Sequence, residues 1–515
     1  MNPSRRPAAS SVLAALVAAT WGVALVPEPA LAHAIGGTFQ LPVPLWLYLA
    51  GAAIAVAASF VVTAALRRRS PAPQGYRTRP VSEGVASPMR WMLRLLGLAW
   101  WYGAILVGFL VGDISPLPAV LLWIGIWVGL PIVAILAGNP WPSLSPFRTT
   151  FAGLDWLARR AGLGALDAGI RYPPGLARWP AVVLLVLVIW IELVLPGGEV
   201  AATVAVVMAA YTLLTLSGMV SFGQVAWLRN AEVFEVLLAW FGRIGPVGRL
   251  ARRRAVCEAC AEGCAPDRCI DCPECAVAAD DAERTPVLRP WALGLTDVVR
   301  AGPSDAAFIV VALAGVSYDG LRETAFGATM LGTLLPPVQA LFGITGTTFL
   351  LVDTLAYALV VAAFLVAFAA VAAMTHALAD PAHRPSLGTG AGVHAATLLP
   401  IAAGYLVAHY LTLVIQGALW LPSLVVDPLM SLAPELDWIP VSFVWYLSVV
   451  AIVLGHVVAI VLSHRLALRH SPGRPAMAGL PMVALMIGYT IFSLWVIAQP
   501  IVIEPAIPAA LGAPR

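Results

Sequence analysis

Ten runs of apolar residues, each long enough to cross a bilayer, dominate this chain. They lie near 43–66, 91–112, 116–138, 180–197, 199–225, 305–323, 346–378, 391–417, 441–467 and 478–500. A helix needs about 20 such residues to span ~30 Å of hydrocarbon. Hydrocarbon offers no partner to backbone N–H and C=O groups, so such runs fold as helices that satisfy themselves. The predicted fold class is therefore all-α, a polytopic transmembrane helix bundle. Composition agrees. Of 515 residues, 60% are hydrophobic and only 11% are charged, whereas a water-facing surface carries roughly 25–35% charged side chains. A soluble enzyme, a disordered chain and a nucleic-acid binder are excluded. The partner implied is the lipid bilayer, with no nucleic acid.

Residues 1–32 read as a signal peptide. Arg5 and Arg6 precede an apolar stretch at 12–26, Pro27 and Pro29 break it, and Ala30-Leu31-Ala32 offers a small-x-small cleavage site. Cleavage would expose His33, whose amine and imidazole suit copper, or which is simply solvated. All 30 basic residues are arginine. Of the 28 left after Arg5 and Arg6 are removed, all but Arg322 and Arg515 fall in stretches that an external His33 assigns to the cytoplasm. Positive charge collects on the cytoplasmic side. The expected topology is multi-pass, with both mature termini outside the cytoplasm.

The chain then divides into a first transmembrane half at 33–225, a cytoplasmic loop at 226–304 and a second half at 305–515. Within the loop, 230–247 is amphipathic and suits either the inner interface or a partial dip into the bundle. The loops at 324–345 and 418–440 read as short amphipathic segments on the outer interface.

Every cysteine lies in that loop: Cys257, Cys260, Cys264, Cys269, Cys272 and Cys275. A reducing compartment argues for thiolate ligation over disulfides. Cys257, Cys260, Cys269 and Cys272 would make a structural zinc knuckle, and all six would hold two zincs. An iron–sulfur cluster on Cys269, Cys272 and Cys275 with a remote fourth ligand is the alternative.

Ionisable residues inside spans are costly and face the bundle interior. The first half has few: Glu192 close to an outer end and Gln224 near an inner one. In the second half, Asp319, Asp353, His409 and His456 sit in the outer halves of four different helices. Tyr405 and His409 share a face at i, i+4. His383, His394 and His470 lie at cytoplasmic ends and read as solvated. Imidazoles with carboxylates suit an unknown divalent metal such as zinc, manganese, iron or nickel, which would make a hydroxide nucleophile of bound water. His409 and His456 as two haem ligands is a second reading, within a redox or metal-handling protein. Proton relay by Asp353 and the histidines in a transporter is a third.

Several segments carry a resemblance: HAIGG at 33–37, LPVPLW at 41–46, NPWPSLSP at 139–146, VSYDGL at 316–321 with Thr324, and VAHY at 407–410. Trp445 and Tyr446, followed by GHV at 455–457 and SHR at 463–465, complete the set. Over nearly its whole length the chain resembles bacterial polytopic membrane proteins labelled fenitrothion hydrolase. That resemblance implies an inner-membrane, metal-dependent hydrolase acting on a small apolar organophosphorus ester. A second membrane subunit would complete it. His409, His456 and Asp353 would be metal ligands, Asp319 a ligand or base, and Tyr405 or Tyr318 the donor to the developing oxyanion.

Overall fold

The computed structural model describes residues 39–66, 76–251, 270–271, 284–298, 301–430 and 432–503. The signal segment, His33 and all six cysteines lie outside the described residues. The first half contains α1 (Leu45–Leu66), α2 (Glu83–Leu110), α3 (Leu117–Leu136), α4 (Pro146–Arg160), α5 (Trp179–Leu193) and α6 (Ala201–Phe222). Two shorter helices follow, α7 (Gln224–Asn230) and α8 (Val233–Gly242). The second half contains α9 (Pro303–Arg322), α10 (Ala325–Phe342), α11 (Gly346–Leu378), α12 (Leu387–Ala396), α13 (Leu399–Val426), α14 (Val441–His470) and α15 (Pro475–Ile501). This is an all-α polytopic bundle, as the apolar runs predict.

Among the described residues, ten helical stretches are long and apolar enough to cross a membrane. They are not the same ten as expected. The run at 180–197 makes the 15-residue helix α5, about 22 Å at 1.5 Å per residue. Pro180 at its start and Pro196-Gly197-Gly198 beyond its end keep it short. Conversely, 324–345 forms the 18-residue helix α10 instead of a brief interfacial segment. Thr324 caps it by accepting from the Gly327 N–H, and Pro336 and Pro337 are accommodated within it.

Within α3, Val120–Gly129 is wound as π-helix. Pro131 lacks an N–H and its ring crowds the carbonyl four residues back, so the turns before it widen. In the second half, α13 and α14 run antiparallel at close range. A Cβ on Gly404 would stand 2.4 Å from the Ala451 carbonyl oxygen, and one on Gly455 2.3 Å from that of Pro400. The two glycines therefore set the register, which the Ser448 hydroxyl donating to the Ala408 carbonyl at 3.1 Å extends.

The stretch 230–247 enters the bundle. Every residue from Ala231 to Ile244 is buried except Ala239. Glu232 caps α8, accepting from the Phe234 and Glu235 N–H groups. It also accepts from Trp141 Nε1 at 2.9 Å and the Tyr211 hydroxyl at 2.7 Å. Tyr211 is midway along α6, so α8 begins at mid-bundle depth. One turn on, Arg148 grips Glu235 with both Nε and Nη2, at 3.2 and 2.8 Å. Four donors on one carboxylate and a two-pronged guanidinium on the other satisfy these buried groups, as burial requires.

After α8 the chain forms a small sheet. Strand β2 (Val247–Ala251) pairs antiparallel with β3 (Arg284–Leu288), which also pairs with β1 (Arg79–Pro80). Ala251 lies opposite Arg284. The cysteine-bearing segment 252–283 is thus flanked by two paired strand ends.

Candidate functional site

Three side chains predicted or adjacent to prediction meet where α9 crosses α13. Asp319 Oδ2 takes a hydrogen bond from His409 Nε2 at 3.0 Å and one from the Tyr410 hydroxyl at 2.5 Å. All three are at least 95% buried. Tyr405, one turn before His409, stacks on its imidazole at 5.6 Å between centroids, and Tyr410 meets the same ring edge-on at 4.5 Å. The imidazole is thus fixed by a carboxylate, a face and an edge. The helices come this close because residue 320 is glycine. A Cβ there would stand 2.4 Å from the Tyr405 Oη and 2.7 Å from Val496. The Tyr405 hydroxyl is itself buried with no hydrogen-bond partner among the described residues.

A cavity opens beside this centre. It has a volume of about 40 Å³ and lies between the two halves, bordered by Trp127, Glu192, Leu237, Gly315 and Tyr410 among others. Such a space holds one or two waters when polar groups border it. Its polar groups are the Glu192 carboxyl and the Tyr410 hydroxyl. Glu192 lies within electrostatic reach of Asp319, and Trp127 borders the same space. Trp127 lies in the π-helical stretch of α3. The sequence shows Glu192 only as an acid near a helix end. Its partnership with Asp319, 127 positions on, has no local signature.

The other expected residues stand elsewhere. His456 Nδ1 donates to the Ile452 carbonyl of its own helix at 2.8 Å, and its Nε2 is buried without a hydrogen-bond partner among the described residues. The α13–α14 register sets Gly455 against Pro400 and Ser448 against Ala408. His456 is therefore about nine residues, or ~13 Å of helix, away from the level of His409. Two ligands of one metal ion each sit ~2.1 Å from it, so this spacing does not join His409 and His456 at one ion or across one haem. Asp353 is only partly buried, and its carbonyl, not its carboxylate, accepts from the Tyr318 hydroxyl at 3.4 Å. Arg322, one turn after Asp319, acts electrostatically on both Asp319 and Asp353. It also donates to the Leu193 carbonyl. Among the described residues, no three His, Cys, Asp or Glu side chains gather as metal ligands would. The expected four-residue metal site is thus divided: Asp319 and His409 pair, His456 sits at another level, and the Asp353 carboxylate does not join them.

The histidines at the arginine-rich ends are not all solvated. His394 is 95% buried and, with His376 and His470, borders a cavity of about 20 Å³. His383 does reach solvent, bonded to Asp380 at 2.8 Å. In comparison with known proteins, the chain matches no protein-family model, no curated protein and no solved structure.

Proposed function

We propose that this membrane protein exchanges protons at the Asp319–His409–Tyr410 centre and couples that exchange to the passage of a solute. The observation that carries the reading is one buried carboxylate oxygen shared by an imidazole and a phenol, with Glu192 across a water-sized cavity. Two carboxylates within electrostatic reach of each other in a low-dielectric interior do not readily hold two negative charges. A proton added to one is favoured to remain, and the hydroxyl, imidazole and cavity water offer it a path. Buried ionisable groups of this kind in spans mark proton and substrate routes.

The hydrolase reading retains one supporting feature. His409 is held by a carboxylate, as a general base is, and the unpartnered Tyr405 hydroxyl beside it suits an oxyanion donor. Against it stands size, because a cavity of about 40 Å³ cannot admit a phosphotriester without helix movement. A metal-activated water is not assigned, since the described side chains do not assemble a ligand set.

Two measurements on the purified, reconstituted protein decide between these. Infrared titration should reveal a protonated-carboxyl stretch that is lost in Glu192→Gln and shifted in Asp319→Asn and in His409→Ala. Potential-driven proton uptake into vesicles should fall at least tenfold in Asp319→Asn and His409→Ala. If both variants match the unmodified protein in spectrum and flux, the relay is wrong. Release of the phenol from a neutral phosphotriester, abolished by His409→Ala and independent of any proton gradient, would favour the hydrolase.

A further inference from the structure

The cavity beside His394 lies at the other end of the bundle from Asp319. Asp319 is in the last turn of α9, whereas α12 packs against the residues that lead into that helix. A Cβ on Gly392 would stand 2.4 Å from the Ala301 carbonyl oxygen. The space measures about 20 Å³, and five polar side chains border it. Thr375 and His376 come from the last turns of α11, Arg384 from the turn that follows, His394 from α12 and His470 from the end of α14. The rest of the lining is alanine, glycine and proline, too small or too stiff to fill the gap between the polar groups.

Two of these groups are buried and unsatisfied. His394 is 95% buried and Thr375 97%, and neither the His394 Nδ1 nor the Thr375 hydroxyl has a hydrogen-bond partner among the described residues. Buried polar atoms are paired as a rule, so two orphans on one small space call for an occupant. The donor set decides its charge. Arginine can only donate, a neutral imidazole offers one N–H, and a hydroxyl can donate. Arg384 is anchored through Nη1, which donates to the His376 carbonyl at 2.8 Å. That contact orients the guanidinium and leaves its charge uncancelled. The lining holds no carboxylate. Asp380, the acid nearest in sequence, is engaged instead by the Ala382 N–H at 3.0 Å and the His383 ring at 2.8 Å. A cation in this space would meet Arg384 with nothing beside it to balance the repulsion. An anion would gain charge-assisted hydrogen bonds. Size narrows the choice, because about 20 Å³ takes a single particle of roughly water's dimensions. A halide qualifies, and phosphate does not.

We propose that this cavity binds one chloride-sized anion, held by Arg384, Thr375 and His394. The test uses the full-length protein in detergent at a single pH. Thermal unfolding is followed as sodium chloride or sodium bromide replaces sodium gluconate at constant ionic strength. Both halides should stabilise the protein along a saturating curve, as ligands of the folded state do. Gluconate, too large for the space, should not. Broadening of the chloride NMR line by the protein, relieved by added bromide, should report the same site. The half-saturating chloride concentration should rise at least tenfold in Arg384→Gln and in Thr375→Val. Valine matches threonine in shape and lacks only the hydroxyl, so Thr375→Val decides the matter should Arg384→Gln misfold. The proposal fails if neither measurement distinguishes halide from gluconate, which would leave the space to water alone. It fails equally if either variant, once folded, keeps the halide response of the unmodified protein.

Discussion

At the scale of single residues, the centre depends on what is missing at position 320 as much as on what is present at 319. Replacing Gly320 with Ala inserts a methyl group where Tyr405 Oη and Val496 already stand, 2.4 and 2.7 Å from it. Overpacking of this kind costs about 1–3 kcal/mol. The expected outcome is a lower melting temperature together with a weaker Asp319–His409 contact, seen as a shifted His409 imidazole resonance. A second residue-scale prediction concerns the turn after α11. The Ala382 N–H and the His383 ring hold the Asp380 carboxylate below its ordinary value of 3.8. A depressed folded value means the turn is favoured above the unfolded value and loses that help as pH falls through the folded one. Exchange of the Ala382 amide, corrected for intrinsic rate, should accelerate only below about pH 4. Acceleration at neutral pH would contradict it. His409 and Asp319 were legible in the sequence by depth alone. Tyr410 was not, because it follows His409 by one residue and so points about 100° away on an ideal helix. Only the wedge of α9 beside α13 lets both reach one oxygen.

At the scale of elements, α8 is the part that local reading treats least well. Glu232, Glu235 and Arg243 make 230–247 look like a surface helix with a wet face. Their partners, Trp141, Arg148, Tyr211 and Gly294, are supplied by segments at least 21 positions away. Charge in a sequence reports cost, and only the fold reports compensation. The Arg148–Glu235 pair offers a direct check. Removing one partner from a buried pair costs about 3–5 kcal/mol, whereas replacing both with apolar residues is often neutral. Arg148→Met should therefore lower thermal stability sharply, and adding Glu235→Leu should recover much of the loss. Equal stability of Arg148→Met and the unmodified protein would show the pair to be idle. The exchange of roles between α5 and α10 has a similar origin. Apolar content set both apart, but helix length follows from prolines, glycines and caps, which a hydropathy window averages away.

At the scale of the whole molecule, hydrophobic run length made the all-α bundle and nine of its ten long apolar stretches readable, because backbone satisfaction in hydrocarbon leaves one solution. What could not be read was which helices meet. Packing between apolar helices is decided by small residues at close approach, here Gly404 with Gly455, and by polar pairs spanning long separations. The cavity beside Tyr410 therefore belongs to the assembly of both halves, bordered by Glu192 from one and Tyr410 from the other. A chain divided into separate halves would have neither wall complete. Asp271 ties another distant part into this assembly. In sequence it stands between Cys269 and Cys272, yet its side chain accepts from the Arg249 N–H and forms an ion pair with Arg289, and its carbonyl accepts from Arg243. Residue 271 therefore gathers three arginines, at 243, 249 and 289, so displacing it would loosen the junction between the end of α8 and the small sheet at one stroke.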